Sequence, residues 1–186
     1  GRVGDLKIDH LRATGLSGTK LDLNGRITGL PNPDRFSANL NIRQLTSSKA
    51  DVLSFIPANT IPSNITLPSR FDLRGKFNGA MEKMNTDLVL TTDLGNVALK
   101  GTLQDIADPQ NAYYDVVAHT TSLDLRTILQ DTTLGPVTLD LTAKGRGYDP
   151  KTAEGSFKGV VRSMVYNKYN YQQLKFDGTI ANHIVD

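Results

Sequence analysis

Apolar and polar residues alternate along most of the chain with a period of two. In KLDLNGRITG, Leu21, Leu23, Gly25, Ile27 and Gly29 hold one parity, whereas Asp22, Asn24, Arg26 and Thr28 hold the other. Successive side chains of a strand point to opposite faces, so this pattern predicts a half-buried strand with one greasy face and one wet face. The same alternation runs through Phe36, Ala38, Leu40 and Ile42, then Phe71 to Phe77, Met84 to Leu90, and Val97 to Leu103. It returns in Tyr114 to Ala118, Val137 to Ala143, Ala153 to Val161, and Leu174 to Ile180.

Short polar stretches separate these runs: Leu30-Pro31-Asn32-Pro33-Asp34, Asp93-Leu94-Gly95-Asn96, Asp108-Pro109-Gln110-Asn111 and Tyr148-Asp149-Pro150-Lys151. Turn chemistry between alternating runs predicts antiparallel hairpins joined into a meander. Helix is scarce. Ser47 and Ser48 ahead of Lys49 to Phe55 read as a cap and a short helix closed by Pro57, and Leu125 to Gln130 reads as a single turn.

One phrase occurs three times, as KLDLNGRITG from Lys20, RFDLRGKFNG from Arg70 and TLDLTAKGRG from Thr138, beginning 50 and 68 residues apart. Propellers and solenoids keep a nearly fixed period because each copy stacks on the last in the same way, so the unequal spacing argues against both. A growing antiparallel sheet with variable inserts tolerates it. Repeat-like units then fall near 19–66, 67–135 and 136–186, within a single segment spanning 1–186. Gly25, Gly75 and Gly145 recur inside the strands, where glycine marks a bend, a bulge or a close approach. A sheet bent at matching places becomes a trough.

The 186 residues favour one domain or one slice of a repetitive one, and apolar residues make up 38%. Net charge is +2, with basic residues scattered among acidic ones, which argues against nucleic acid as a partner. No window approaches the roughly 18 consecutive apolar residues of a membrane span, and no basic-then-apolar leader opens the chain. A soluble segment is expected, with any anchor outside it. There are no cysteines, so disulfides, thiol catalysis and sulfur-based zinc sites are excluded.

Chemistry-bearing motifs are sparse. His10, His119 and His183 have no neighbouring ligand at metal spacing and read as surface histidines. No nucleophile elbow, P-loop, metalloprotease or dinucleotide motif occurs, so neither an enzyme nor a cofactor is expected. Asp22, Asp72 and Asp140 recur at one position of the phrase and read as water-facing charges that blunt sheet edges rather than as calcium ligands. Asn64-Ile65-Thr66 matches a glycosylation sequon, and Tyr166, Tyr169 and Tyr171 read as amphipathic strand tyrosines in preference to a stacking platform.

What remains is the apolar face. A sheet of about ten strands cannot leave one face bare, and the sequence supplies almost no helix to cover it. Either the sheet closes into a sandwich with a dry core, or it curls incompletely and leaves a greasy groove. LDLNGRITGLP from Leu21, LPSRFDLRGKFNG from Leu67, LDLRTILQ from Leu123, LGPVTLDLTAKGRGYDP from Leu134 and YNKYNYQQLKFDGTI from Tyr166 resemble the periplasmic repeats of the TamB translocation and assembly module family, in the AsmA-like group, especially its Bacteroidetes versions.

The resemblance implies an all-β, elongated, curled antiparallel sheet, an open groove with a hydrophobic interior and one or two short helices. It implies a periplasmic segment of an inner-membrane-anchored protein of a diderm bacterium, moving phospholipid between membranes and supporting outer-membrane protein assembly. Its partners would be phospholipid acyl chains and, through regions outside this segment, an outer-membrane barrel protein and the inner membrane. The parity pattern then names the groove lining: Leu21, Leu23, Ile27, Phe36, Leu40, Phe71, Leu73, Phe77, Leu88, Leu90, Val97, Leu99, Leu139, Leu141 and Phe157. The alternative is a closed β-sandwich that binds outer-membrane protein strands by β-augmentation.

Overall fold

The computed structural model describes residues 4–16, 18–30, 36–55, 64–80, 82–105, 108–147, 152–181 and 184–185. The chain forms one antiparallel sheet. Its strands are β1 (Asp5–Leu16), β2 (Thr19–Thr28), β3 (Ser37–Ser48), β4 (Arg70–Ala80), β5 (Lys83–Thr92) and β6 (Gly95–Gln104). They continue with β7 (Tyr113–Asp124), β8 (Leu134–Arg146), β9 (Glu154–Tyr166), β10 (Tyr169–Ala181) and a two-residue β11 (Ile184–Val185). The eleven lie side by side in chain order, so β1 and β10 do not meet and the sheet is open. Of the two architectures the sequence allows, the single open sheet is the one adopted. The three copies of the phrase occupy β2, β4 and β8.

Two short helices interrupt the meander, α1 (Lys49–Phe55) after β3 and α2 (Leu125–Leu129) after β7. The Asp51 N–H donates to Ser48 Oγ at 3.1 Å, so Ser48 caps α1 as its sequence predicts. In α2 the Asp124 carboxylate accepts from the Thr127 N–H, and Gln130 ends the helix in a left-handed conformation at φ 55°. Pro57 and the turns at 31–34 and 148–151 lie outside the described residues. Because β3 and β7 run the same way, both helices sit at one end of the sheet. That end is laced: Asp93 accepts the Ser69 and Arg70 N–H groups, the Asp124 N–H reaches Leu94 O at 2.8 Å, and the Thr66 N–H reaches Ile128 O at 2.8 Å.

The sheet's burial is asymmetric. Leu23, Met84, Val116 and Val137 are 8%, 5%, 9% and 7% exposed and share one face, yet among the described residues no large side chain is fully buried. A flat single layer leaves both faces open to water, so burial to this depth without a second layer requires the face to curl over itself. The chain exposes 12204 Å². A compact monomer of 20.3 kDa would expose roughly 8,800 Å². A packed sandwich would hide that difference.

Candidate functional site

Strand register turns the alternation into continuous ladders. Leu11, Leu23, Ile42, Gly75, Leu88, Leu99, Ala118, Leu141, Gly159 and Phe176 are successive cross-strand partners from β1 to β10. Beside it runs a second ladder of Ala13, Leu21, Leu45, Leu73, Leu90, Val97, Thr120, Leu139, Val161 and Leu174. On the other side lie Ile8, Gly25, Leu40, Phe77, Thr86, Gly101, Val116, Ala143, Phe157 and Gly178, and then the ladder from Leu6 and Ile27 through Met84 and Tyr114 to Ile180. Four apolar ladders therefore cross ten strands on one face. Directly opposed side chains lie about 5 Å apart, so each ladder forms a largely apolar row, interrupted by glycines and, in two of them, by Thr86 and Thr120.

Glycines in these ladders occupy positions where no side chain fits. Gly25 and Gly75 have φ of 151° and 132°, and a Cβ on either would stand 2.0 Å from the carbonyl oxygen of Asn39 or Asp87 on the neighbouring strand. Both contacts are with backbone, so nothing can swing aside. The positive φ turns the Cβ position toward the neighbouring strand's carbonyl, so only glycine fits there.

The structure brings the predicted lining residues of β2, β3, β4, β5, β6, β8 and β9 onto this face; Phe36 lies just before β3 and is half-buried. Phe71 stands on a shorter row, between Ser47 and Thr92. The parity pattern did not yield β1, whose Leu6, Ile8, Leu11 and Ala13 extend all four ladders. Its inward parity switches between Ile8 and Leu11 at a bulge, which disguises the alternation.

Bulges also correct the reading of the recurring aspartates. Asp22, Asp72 and Asp140 do not blunt edges: they stand in interior strands, with side chains 18%, 20% and 35% exposed, each beside a bulge of an adjacent strand. Asp22 gathers Arg12 at 3.1 Å, His10 at 3.3 Å and the bulged Arg43 at 3.5 Å. Asp72 accepts from Thr46 at 2.9 Å, Arg74 at 2.9 Å and Gln44 of the same bulge at 3.4 Å. Asp140 holds His119 at 2.6 Å and the bulged Arg162. An extra residue throws its side chain off parity, and the phrase aspartate ties it down.

Partial burial pushes the Asp22 and Asp72 carboxyls up, but hydrogen bonds from Arg12 and from Thr46 and Arg74, with the neighbouring cations, hold both below the ordinary 3.8. The His119 hydrogen bond does the same for Asp140, with Arg162 assisting. Lowered folded values stabilise the fold fully above pH 3.8, and that contribution is lost as pH falls through them. Stability is expected to hold constant through neutral pH and drop below about pH 4. Asp22→Asn, Asp72→Asn and Asp140→Asn should each flatten the drop in acid titrations followed by circular dichroism; an unchanged curve in all three would refute the role.

His119 also lies 3.2 Å from Thr121 Oγ1 through its second ring nitrogen, so Asp140, His119 and Thr121 stand in the order of a hydrolase relay. The strand N–H groups around it are engaged in ladder bonds, and the bulged Ser122 N–H donates to Thr138 Oγ1. His183 lies outside the described residues. Tyr166 and Tyr169 face each other across the β9–β10 hairpin at 42% and 69% exposure, forming no enclosed site. No family model, curated protein or solved structure matches the chain.

Proposed function

We propose that the chain is a segment of a periplasmic β-groove, of the TamB-like kind its sequence resembles, that carries phospholipid acyl chains between the inner and outer membranes and supports outer-membrane biogenesis. One observation carries the reading: four largely apolar ladders cross ten strands on a face that no second layer covers among the described residues. An acyl chain of about 16 carbons costs on the order of 13 kcal/mol to expose to water, at roughly 0.8 kcal/mol per methylene. A continuous apolar track removes most of that barrier and requires neither a catalytic group nor a specific pocket. Head groups would ride at the open rim, with the membrane anchor and the outer-membrane barrel partner engaged by regions outside this segment.

Organic extraction of the purified chain followed by mass spectrometry tests the reading. Phospholipid is expected to co-purify with a particle whose small-angle scattering is that of an elongated body. A compact, lipid-free particle that also takes up no fluorescent fatty acid would sink it.

A further inference from the structure

Building on the groove reading, we propose that the Thr86 hydroxyl is a polar stop inside the trough. It donates a hydrogen bond to the carbonyl oxygen of an acyl ester or carboxyl group, and so selects acyl lipids over plain hydrocarbon chains. Thr86 lies on β5, well inside the sheet, in the ladder that also holds Phe77 and Val116.

Three threonines are buried among the described residues: Thr46, Thr86 and Thr120. Two of them are tied down. Thr46 donates to the Asp72 carboxylate at 2.9 Å, and Thr120 donates to Val137 O at 3.2 Å while accepting the Leu139 N–H at 3.0 Å. Thr86 is 7% exposed, and its Oγ1, shielded from water, has no hydrogen-bond partner among the described residues. A buried hydroxyl left unpaired costs stability that a valine of nearly the same shape would not. Such a lapse in an otherwise consistent wall marks a functional position.

The surrounding face offers no partner. Thr86 stands between Phe77 and Gly101 across the strands and between Met84 and Leu88 along its own, and Gly79 and Gly75 lie opposite those two. All six are apolar or glycine, so the missing acceptor comes from what the trough holds. An acyl chain carries its one polar group, the carbonyl, at its head end, and a hydroxyl donates to it. Met84 is unbranched and re-packs at low cost, which lets an arriving carbonyl reach the hydroxyl.

The depth also fits. Thr86 is three residues in from Lys83, where β5 begins, which places it roughly 10 Å from the β4–β5 hairpin. That rim is the one opposite α1 and α2, and Glu82 and Lys83 on it are exposed. An ester held at Thr86 would send its head group out over this rim while its chain lies along the ladders.

Competition against a fluorescent fatty acid tests the proposal, using the purified chain freed of lipid, with methyl dodecanoate and the alkane of equal length as competitors. The ratio of ester affinity to alkane affinity is expected to fall roughly fivefold in Thr86→Val, the scale of one net hydrogen bond, and to hold in Thr86→Ser. The infrared carbonyl stretch of isotope-labelled methyl dodecanoate should sit at its lower, hydrogen-bonded frequency in wild type and Thr86→Ser, and rise in Thr86→Val. A merely structural threonine would not move that band. Lipid-free Thr86→Val should also melt above wild type, because it loses an unpaired buried hydroxyl. A lower melting temperature would mean that the hydroxyl already has a partner in the chain, and an unchanged ratio with intact probe binding would make Thr86 plain wall; either overturns the proposal. Failure of the wild-type chain to bind the fluorescent fatty acid at all would sink the groove itself, and the proposal with it.

Discussion

Gly75→Ala is expected to lower stability by roughly 4 kcal/mol, combining about 1–3 for the unfavourable φ with about 1–3 for overpacking. In a chain of this length that is a fall of about 10 °C in Tm. The added Cβ would stand 2.0 Å from Asp87 O and 2.9 Å from Leu88 Cα, so β5 must move away from β4. Gly18 supplies the control. It has φ 103° but nothing within 4 Å of its Cβ position, so Gly18→Ala carries only the conformational term, about 1–3 kcal/mol. Thermal melts of the two variants compare them directly; equal losses would show that the close approach at Gly75 contributes nothing.

That comparison also marks the limit of what alternation encodes. Leu21, Leu23 and Ile27 against Asp22, Asn24 and Arg26 make β2 legible, because one residue of slip would turn every leucine to water. Helix α1 is legible from the Ser47-Ser48 cap, and α2 as the single turn over Leu125 to Gln130. Bulges hid the rest. At Arg43–Gln44 the inward parity of β3 passes from Ala38, Leu40 and Ile42 to Leu45, and around Arg162 that of β9 passes from Val161 to Met164. Alternation also says which residues face inward without saying which lie deepest. Met84, Val116 and Val137 fell within the predicted runs but outside the predicted lining, and they are among the most buried apolar residues described. Depth follows from cross-strand partners, which a single strand's sequence does not contain.

The aspartates were misread for the same reason. As isolated positions they alternate with the lining and look solvated. Their partners arrive from adjacent strands through one-residue offsets, and His10, Arg43 and Arg162 stand far from them in sequence. The phrase is therefore both a wall element and a clasp: its leucines and glycine build the concave face, and its aspartate fixes the bulge that bends the neighbouring strand.

On the proposed lipid-groove reading, Leu88→Asp should strip the trough of its cargo while Val89→Asp, one residue along β5, should leave it loaded. Leu88 stands in an apolar ladder between Gly75 and Leu99, whereas Val89 is 46% exposed on the polar face between Arg74 and Ala98. An acyl chain lying on the ladder would have to desolvate the new carboxylate, a cost of at least several kcal/mol for a charge without a partner. Phospholipid recovered per mole of protein is expected to fall at least tenfold, which needs only about 1.4 kcal/mol. The aspartate stays reachable by water in the unloaded protein because no layer covers that face among the described residues, so Leu88→Asp should keep its strand signal in circular dichroism. Collapse of Leu88→Asp into an unfolded chain would mean that the ladder is a dry core. Equal lipid in both variants would mean that cargo rides elsewhere.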